Sequence, residues 1–464
     1  MTLRVMPPPK TFTVHSSLLF DPKQKAFRKN ISIEIDRDTG SIANVYERDD
    51  DDDLRLQIQA GDIDLRGGGK CVLPGVVDSH THVFLHSYVD RPSIEQMRDA
   101  SPVERILRAT SHVRAALLAG FTTYRDLGTE ALGPADAQLR DCINRGLIPG
   151  PRLFVATDAL ASNGSYEIRR ENKSLSGSGS GGLLVPRASD PCDGVDGVRA
   201  GVRRRVGDGA DIIKFYADYR RKVMRFPGPG VSNTSNQPIL FPPDDPRKRN
   251  PAVPLFGQDE MDAIVREAKL AQLPVAAHAG ETKAALMAAR AGVTTVEHMF
   301  EDTNGLLDEV LKEMKRQGTI WVPTLATVES AAPQFMEACL AAVKKAVDAG
   351  VRVVTGGDTG VIDHGLNARE IELFVKAGIP LEEVLEMATV GGWEACGGEL
   401  TGYRFGWWEK GCRADIIALD ADPREDGKAL RKVGFVMKDG KVWKRDGRAV
   451  DMITVPEFPP SMDD

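Results

Sequence analysis

The sequence predicts an α/β protein built on a (β/α)8 TIM barrel, with a small β domain contributed by both chain ends. Three observations carry that prediction. From about residue 72, short β-rich runs alternate with amphipathic helical runs roughly eight times, the pattern of parallel βαβ units. The flanks, residues 11–70 and 403–450, hold instead short alternating strands and turn signals such as Lys438-Asp439-Gly440, with no convincing long helix. Finally, 464 residues exceed one small core but suit a barrel of roughly 250 residues plus a companion. The expected division is residues 1–71 with 403–464 as the small domain and 72–402 as the barrel.

The strand candidates, in order, are Val72–His82, Thr122–Leu127, Arg152–Thr157, Asp211–Tyr216, Pro274–His278, Thr294–His298, Thr319–Leu325 and Val351–Gly356. Between them, stretches such as Glu260–Ala271 and Leu306–Arg316 repeat apolar residues at three and four, as outer barrel helices do. Two segments read as long loops: Ser174–Gly182, rich in Ser and Gly, and Phe226–Pro254, rich in Pro, Asn, Ser and Asp. They follow the third and fourth strands, where loops border the catalytic face of such barrels, so they either shape the pocket mouth or decorate the surface. Leu184-Val185-Pro186-Arg187 resembles a linker cleavage site but interrupts no pattern, and is read as native loop. The acidic run Asp49–Asp53 reads as a solvated turn rather than a calcium site.

Composition excludes several classes of function. A net charge of −7 and an isoelectric point near 5.8 oppose nucleic-acid binding, which needs clustered Lys and Arg. No apolar run reaches the length of a membrane span and no signal peptide is visible, so a soluble cytoplasmic protein is expected. The six cysteines lie far apart with no C-x2-C pair, which argues for reduced structural thiols.

The chemistry-bearing residues gather at the predicted strand ends. Pro74-Gly75-Val76-Val77-Asp78-Ser79-His80-Thr81-His82 ends a strand in two histidines, and a period of two turns both imidazoles to one face. There they hold one cation or are ordinary strand histidines. His278 and His298 close two later apolar strands, so four of the eight histidines sit at the C-terminal ends of three strands. Lys214 stands inside the fourth strand: facing outward or ion-paired it is structural, but buried it becomes a neutral amine that carbon dioxide converts to a carbamate ligand. Asp358, within Gly356-Gly357-Asp358-Thr359-Gly360, is either a turn residue or a metal-bound carboxylate that takes a proton from water.

Together these motifs resemble the amidohydrolase superfamily over almost the whole chain, including Gly411-Cys412-Arg413-Ala414-Asp415-Ile416-Ile417-Ala418-Leu419, which looks like its return to a small β-sandwich. Ala210-Asp211-Ile212-Ile213-Lys214-Phe215-Tyr216-Ala217-Asp218-Tyr219-Arg220 is similar to the imidazolonepropionase-like branch, which also holds Xaa-Pro dipeptidases and ochratoxinase. The resemblance implies two divalent metal ions, zinc foremost. His80, His82 and Asp358 would bind the more buried one, His278 and His298 the second, with carboxylated Lys214 bridging them. It implies hydrolysis of an amide bond in a dipeptide, N-acyl amino acid or related small molecule by activated water, with Asp358 as proton shuttle. It also implies a homo-oligomer. Substrate contacts are expected from His86 and Tyr88 after the first strand, Tyr216 on the face of Lys214, Tyr219 and Arg220 after the fourth, and His364 after Asp358. A cyclic amide, a lactone or a phosphotriester is the alternative for the same site, and a catalytically silent binding barrel is the alternative from another class.

Overall fold

The computed structural model describes residues 10–49, 53, 55–166, 187–220, 252–302 and 304–452. Both predicted loops, apart from residues 252–254, lie outside them, as do residues 50–52 of the acidic run and Leu184-Val185-Pro186. Asp53 at the end of that run is ion-paired with Arg48.

Alternation builds the first sheet. Ile31, Ile33 and Ile35 recur every second residue on Ala26–Asp36 and are all buried, with Val14, Phe12, Ile416, Phe435 and Met437 packed on them. The strands run in the order Arg448–Ala449, Lys441–Arg445, Val433–Lys438, Ile416–Leu419, Cys71–Pro74, Thr11–Asp21, Ala26–Asp36 and Ile42–Glu47, so both chain ends share one hydrogen-bonded sheet. The Asp439-Gly440 signal is a two-residue hairpin turn with φ of 52° and 73°, the left-handed pair a type I′ turn requires.

The predicted Val72–His82 strand is two strands. Cys71–Pro74 pairs antiparallel with Ile416–Leu419 in the end sheet, and Val76–Thr81 pairs parallel with Phe121–Asp126. Gly75 is the handover: its N–H donates to the Asp415 carbonyl, while that of Val76 donates to Gly120. A Cβ at Gly75 would lie 2.1 Å from the Thr122 hydroxyl, so no other residue lets the chain change sheets here.

The middle of the chain is parallel α/β and TIM-barrel-like. One sheet runs Val76–Thr81, Phe121–Asp126, Arg152–Val155. The other runs Asp190–Pro191, Leu160–Ala161, Ile213–Tyr216, Val275–Glu281, Thr295–Glu301, Ile320–Val322, the first two being short strands not expected from sequence. The amides of Asp211 and Ile212 both donate to the Val155 carbonyl, and that of Ser79 donates to Thr355, so backbone bonds join the two sheets. The eighth expected strand, Val351–Gly356, forms only an isolated bridge from Val353 to Trp321. Backbone bonds still hold it on both sides, and Gly356 permits close approach to His80, since a Cβ there would sit 2.6 Å from Val322 and 2.9 Å from the His80 amide nitrogen.

Helices Gln258–Leu270 and Leu307–Gln317 fall within two residues of the predicted spans and bury Met261, Ile264, Val265, Val310, Leu311 and Met314 against the strands. The last three residues of the predicted Phe226–Pro254 loop are a strand, Ala252–Pro254, antiparallel to Asp218–Arg220. Among the described residues no helix is long and apolar enough to cross a membrane.

Candidate active site

Four imidazoles converge where the parallel strands end. The ring of His80 lies 5.4 Å from His82 and 4.8 Å from His298, and His298 lies 4.5 Å from His278. Strand period accounts for three of them, because His80 and His82 share a face of one strand and His278 follows Ala276 two residues on. His298 needs more. Its φ is 76° and that of Met299 is 65°, a left-handed turn that brings His298 to the same polar centre as its neighbour Glu297. Strict alternation would have separated the two, and such backbone is costly for residues with a Cβ.

The supporting hydrogen bonds fix which ring nitrogen is free. Nδ1–H of His82 donates to the Gly128 carbonyl at 2.9 Å, and Nδ1 of His80 meets the Glu297 carboxylate at 2.8 Å. Both Nε2 atoms therefore point at Asp358, 3.4 Å and 3.5 Å from its Oδ1. His80, His82 and Asp358 present donor atoms all within 4.8 Å of one another. Three buried atoms here, Nε2 of His80, Oδ1 of Asp358 and Nζ of Lys214, have no hydrogen-bond partner among the described residues. Buried polar atoms left unpaired cost free energy, and a divalent cation satisfies nitrogen and oxygen lone pairs together. The donor set fits a metal.

Protonation states agree with that fit. Burial lowers His82 to about 4 and drives His80, His278 and His298 well below 6.5, so all four are neutral near pH 7, as metal ligation requires. Lys214, 1% exposed on Ile213–Tyr216, is brought down to about 8 by burial against the opposing pull of Glu297 and Asp358. Asp358 is pushed up to about 7 by burial, Lys214 alone opposing while the nearby carboxylates of Glu130, Asp78 and Glu297 add to the rise.

The centre opens into a cavity of about 390 Å³. Tyr88, Tyr216, Tyr219 and Arg220 line it, as does Ala252, next to the undescribed segment. His86 and His364 do not line it. The amide of His86 is bonded to Gln96, while His364 stacks on His112 with ring centroids 4.3 Å apart and its Nε2 on the Leu85 carbonyl. His364 packs behind the first loop, where Gly360 and Gly365, both left-handed, turn the segment after Asp358 against Leu85 and Ala115.

Several site residues are absent from the sequence-level set. Arg125 and Glu297 are fully buried and ion-paired at 2.8 Å, and Arg125 also donates to Thr295. A charged residue inside an apolar strand was their signal, the one that singled out Lys214. Glu130 and Tyr166 also line the cavity. Neither carries a sequence signal, since each lies on a loop whose path only the fold sets.

The sequence matches the Amidohydrolase family over residues 71–443. No curated protein sequence matches it. Among solved structures, a Xaa-Pro dipeptidase with bound methionine superposes with a TM-score of 0.73 at 27% identity, over 94% of this chain and 100% of that one. A prolidase complexed with N-methylphosphonate-L-proline gives 0.73 at 25%, over 94% and 100%. The ochratoxinase of A. niger gives 0.74 at 25%, over 96% and 99%. The converging imidazoles, the buried lysine and this full-length likeness have one reading: the chain belongs to the amidohydrolase family and is a hydrolase acting on amide bonds.

Proposed function

We propose that this hydrolase cleaves the amide bond of a dipeptide or N-acyl amino acid at a centre that holds two divalent cations. The observation that carries the reading is the set of unpaired buried atoms on His80, Asp358 and Lys214 facing one cavity. His80, His82 and Asp358 would hold the first ion and His278 and His298 the second, with Lys214, as a carbamate, between them; imidazole with carboxylate ligands favours zinc. Such ions supply Lewis acidity and lower the pKa of water.

The chain's own residues do the rest. Asp358, a buried carboxylate lining the cavity, accepts the proton of the attacking water and passes it to the nitrogen as the C–N bond breaks, giving a carboxylate and an amine. Tyr88, Tyr216 and Tyr219 shape the acyl side of the cavity, and Arg220 at its edge offers a bidentate grip on a substrate carboxylate. The titles of two solved relatives, a Xaa-Pro dipeptidase and a prolidase, support a dipeptide substrate, and the ochratoxinase supports an amide to an amino acid. We further infer that the strands of the two parallel sheets are staves of one closed barrel, and that the described residues of 1–71 and 403–464, with the strand through Pro74, form a β-sandwich beside it.

Metal analysis, chelation and a substrate panel test this together. Bound divalent metal, loss of activity on chelation with recovery on readdition, and turnover of dipeptides or N-acyl amino acids are expected. Metal-free activity sinks the mechanism. Turnover confined to cyclic amides, lactones or phosphotriesters sinks the substrate reading.

A further inference from the structure

A carboxylate that the hydrolytic chemistry does not use faces the same cavity. Glu130 follows the strand Phe121–Asp126, on the loop whose Gly128 carbonyl holds His82. It is 4% exposed and lines the cavity, and its Oε2 has no hydrogen-bond partner among the described residues. Its Oε1 accepts from the Tyr216 hydroxyl at 3.3 Å. Glu130 and Ala131 are both left-handed, with φ of 54° and 76°, so the loop adopts costly backbone that aims this side chain inward. Arg105 donates to the carbonyls of Phe84 and Thr129 rather than to this carboxylate, on which it and Lys214 act through space.

Tyr216 and Tyr166 neighbour the carboxylate and pack with Tyr219 into one aromatic cluster. Tyr166 lies 4.9 Å from Tyr216 and 5.2 Å from Tyr219, and Tyr216 and Tyr219 are 6.0 Å apart edge to face. All three line the cavity with Glu130. An acidic oxygen beside several aromatic faces is the environment that stabilises a desolvated ammonium, by a charge-assisted hydrogen bond and by attraction to ring quadrupoles. An uncharged acyl chain would leave the Glu130 oxygen buried and unpaired.

We infer that Glu130 is a specificity-determining residue that anchors a primary ammonium of the substrate, which makes free-amino dipeptides the preferred class over N-acyl amino acids. The inference rests on the proposed amide hydrolysis and narrows its substrate. Distance selects which ammonium. Glu130 Oε1 lies 3.6 Å from Nδ1 of His82, one imidazole away from Asp358. In a peptide the α-nitrogen lies about 2.5 Å from its own carbonyl carbon, whereas a lysine ε-nitrogen is several bonds further. The anchor therefore suits the α-ammonium of the residue whose carbonyl is attacked, and Arg220, which lines the same cavity, is left for the substrate carboxylate.

The test compares L-methionyl-L-proline and a set of other free dipeptides with their Nα-acetyl and des-amino analogues, and with lysine side-chain isopeptides, on the metal-loaded wild type, Glu130→Gln and Glu130→Asp. The wild type is expected to favour the free dipeptide over its des-amino analogue in kcat/KM by about 10- to 150-fold, the worth of a hydrogen bond to a charged group. Glu130→Gln should lower kcat/KM for the free dipeptide by a similar factor more than for the analogue, mainly through KM, and Glu130→Asp should retain part of the preference. Circular dichroism and melting of each variant separate a folding defect from lost recognition. Equal use of free and blocked substrates, an equal fall on both in Glu130→Gln, or a preference for the isopeptide ammonium overturns the assignment. Turnover of N-acyl amino acids alone also overturns it while leaving the hydrolase intact, and turnover of no amide overturns both.

Discussion

Single residues here owe their chemistry to burial more than to identity. Lys214 makes no hydrogen bond among the described residues, and desolvation brings it down to about 8 against the pull of Glu297 and Asp358, toward the neutral amine that the proposed carbamate requires. Asp358 shows the reverse effect, a carboxylate lifted to about 7 by the same dry environment and by other carboxylates. An acid whose folded pKa is raised opposes folding once the pH exceeds its unfolded value near 3.8, and that cost is present at pH 7. Asn is neutral at every pH and escapes it. Asp358→Asn is therefore expected to lower kcat by about 10²- to 10⁴-fold while leaving the metal-free protein at least as stable at pH 7 by urea unfolding. Undiminished turnover would remove Asp358 from proton transfer.

At the scale of elements, the parallel strands carry a polar cluster among apolar staves. Arg125 on Phe121–Asp126 reaches across to Glu297 on Thr295–Glu301, which in turn holds Nδ1 of His80 on Val76–Thr81. Three strands are thus tied through one carboxylate. A buried pair of this kind adds little net stability against apolar packing, but removing one partner strands a charge. Arg125→Met should destabilise the protein by about 3–5 kcal/mol in denaturant titration, and Arg125→Met with Glu297→Gln should recover part of it. A loss below about 1 kcal/mol, the range of exposed pairs, would mean that the pair is not buried as described.

For the molecule as a whole, the decisive contact is between the sheet made by the chain ends and the parallel α/β region. Arg152, at the start of the strand Arg152–Val155, donates to Asp415 at 2.7 Å and to Asp439, and Asp439 also accepts from Arg413 at 2.6 Å. Burial opposes ionisation of Asp439, yet the cations of Arg152, Lys438 and Arg413 hold it well below the usual carboxylate range. Substituting Arg152→Met leaves Asp415 without its guanidinium partner. A loss of about 3 kcal/mol or more, with two unfolding transitions in place of one, is the expected calorimetric result. An unchanged single transition would show that apolar contacts alone join the two parts.

The sequence by itself determined the alternation of strands and helices, and the turning of His80, His82, Lys214 and His278 to one face at the strand ends. Each follows from a period of two or of 3.6 and from the rule that strand ends meet on one face. Tertiary structure alone decided what depends on paths through space. Gly75 splits one expected strand because two sheets compete for its neighbours, and left-handed backbone at His298 places both Glu297 and His298 on one centre. His364 lies outside the cavity in a stack with His112, and His86 lies outside it beside Gln96, while Glu130 and Tyr166 enter it from loops. Local periodicity fixes the direction of a side chain on a regular strand, but on a loop that direction comes from contacts made with residues far away in the chain.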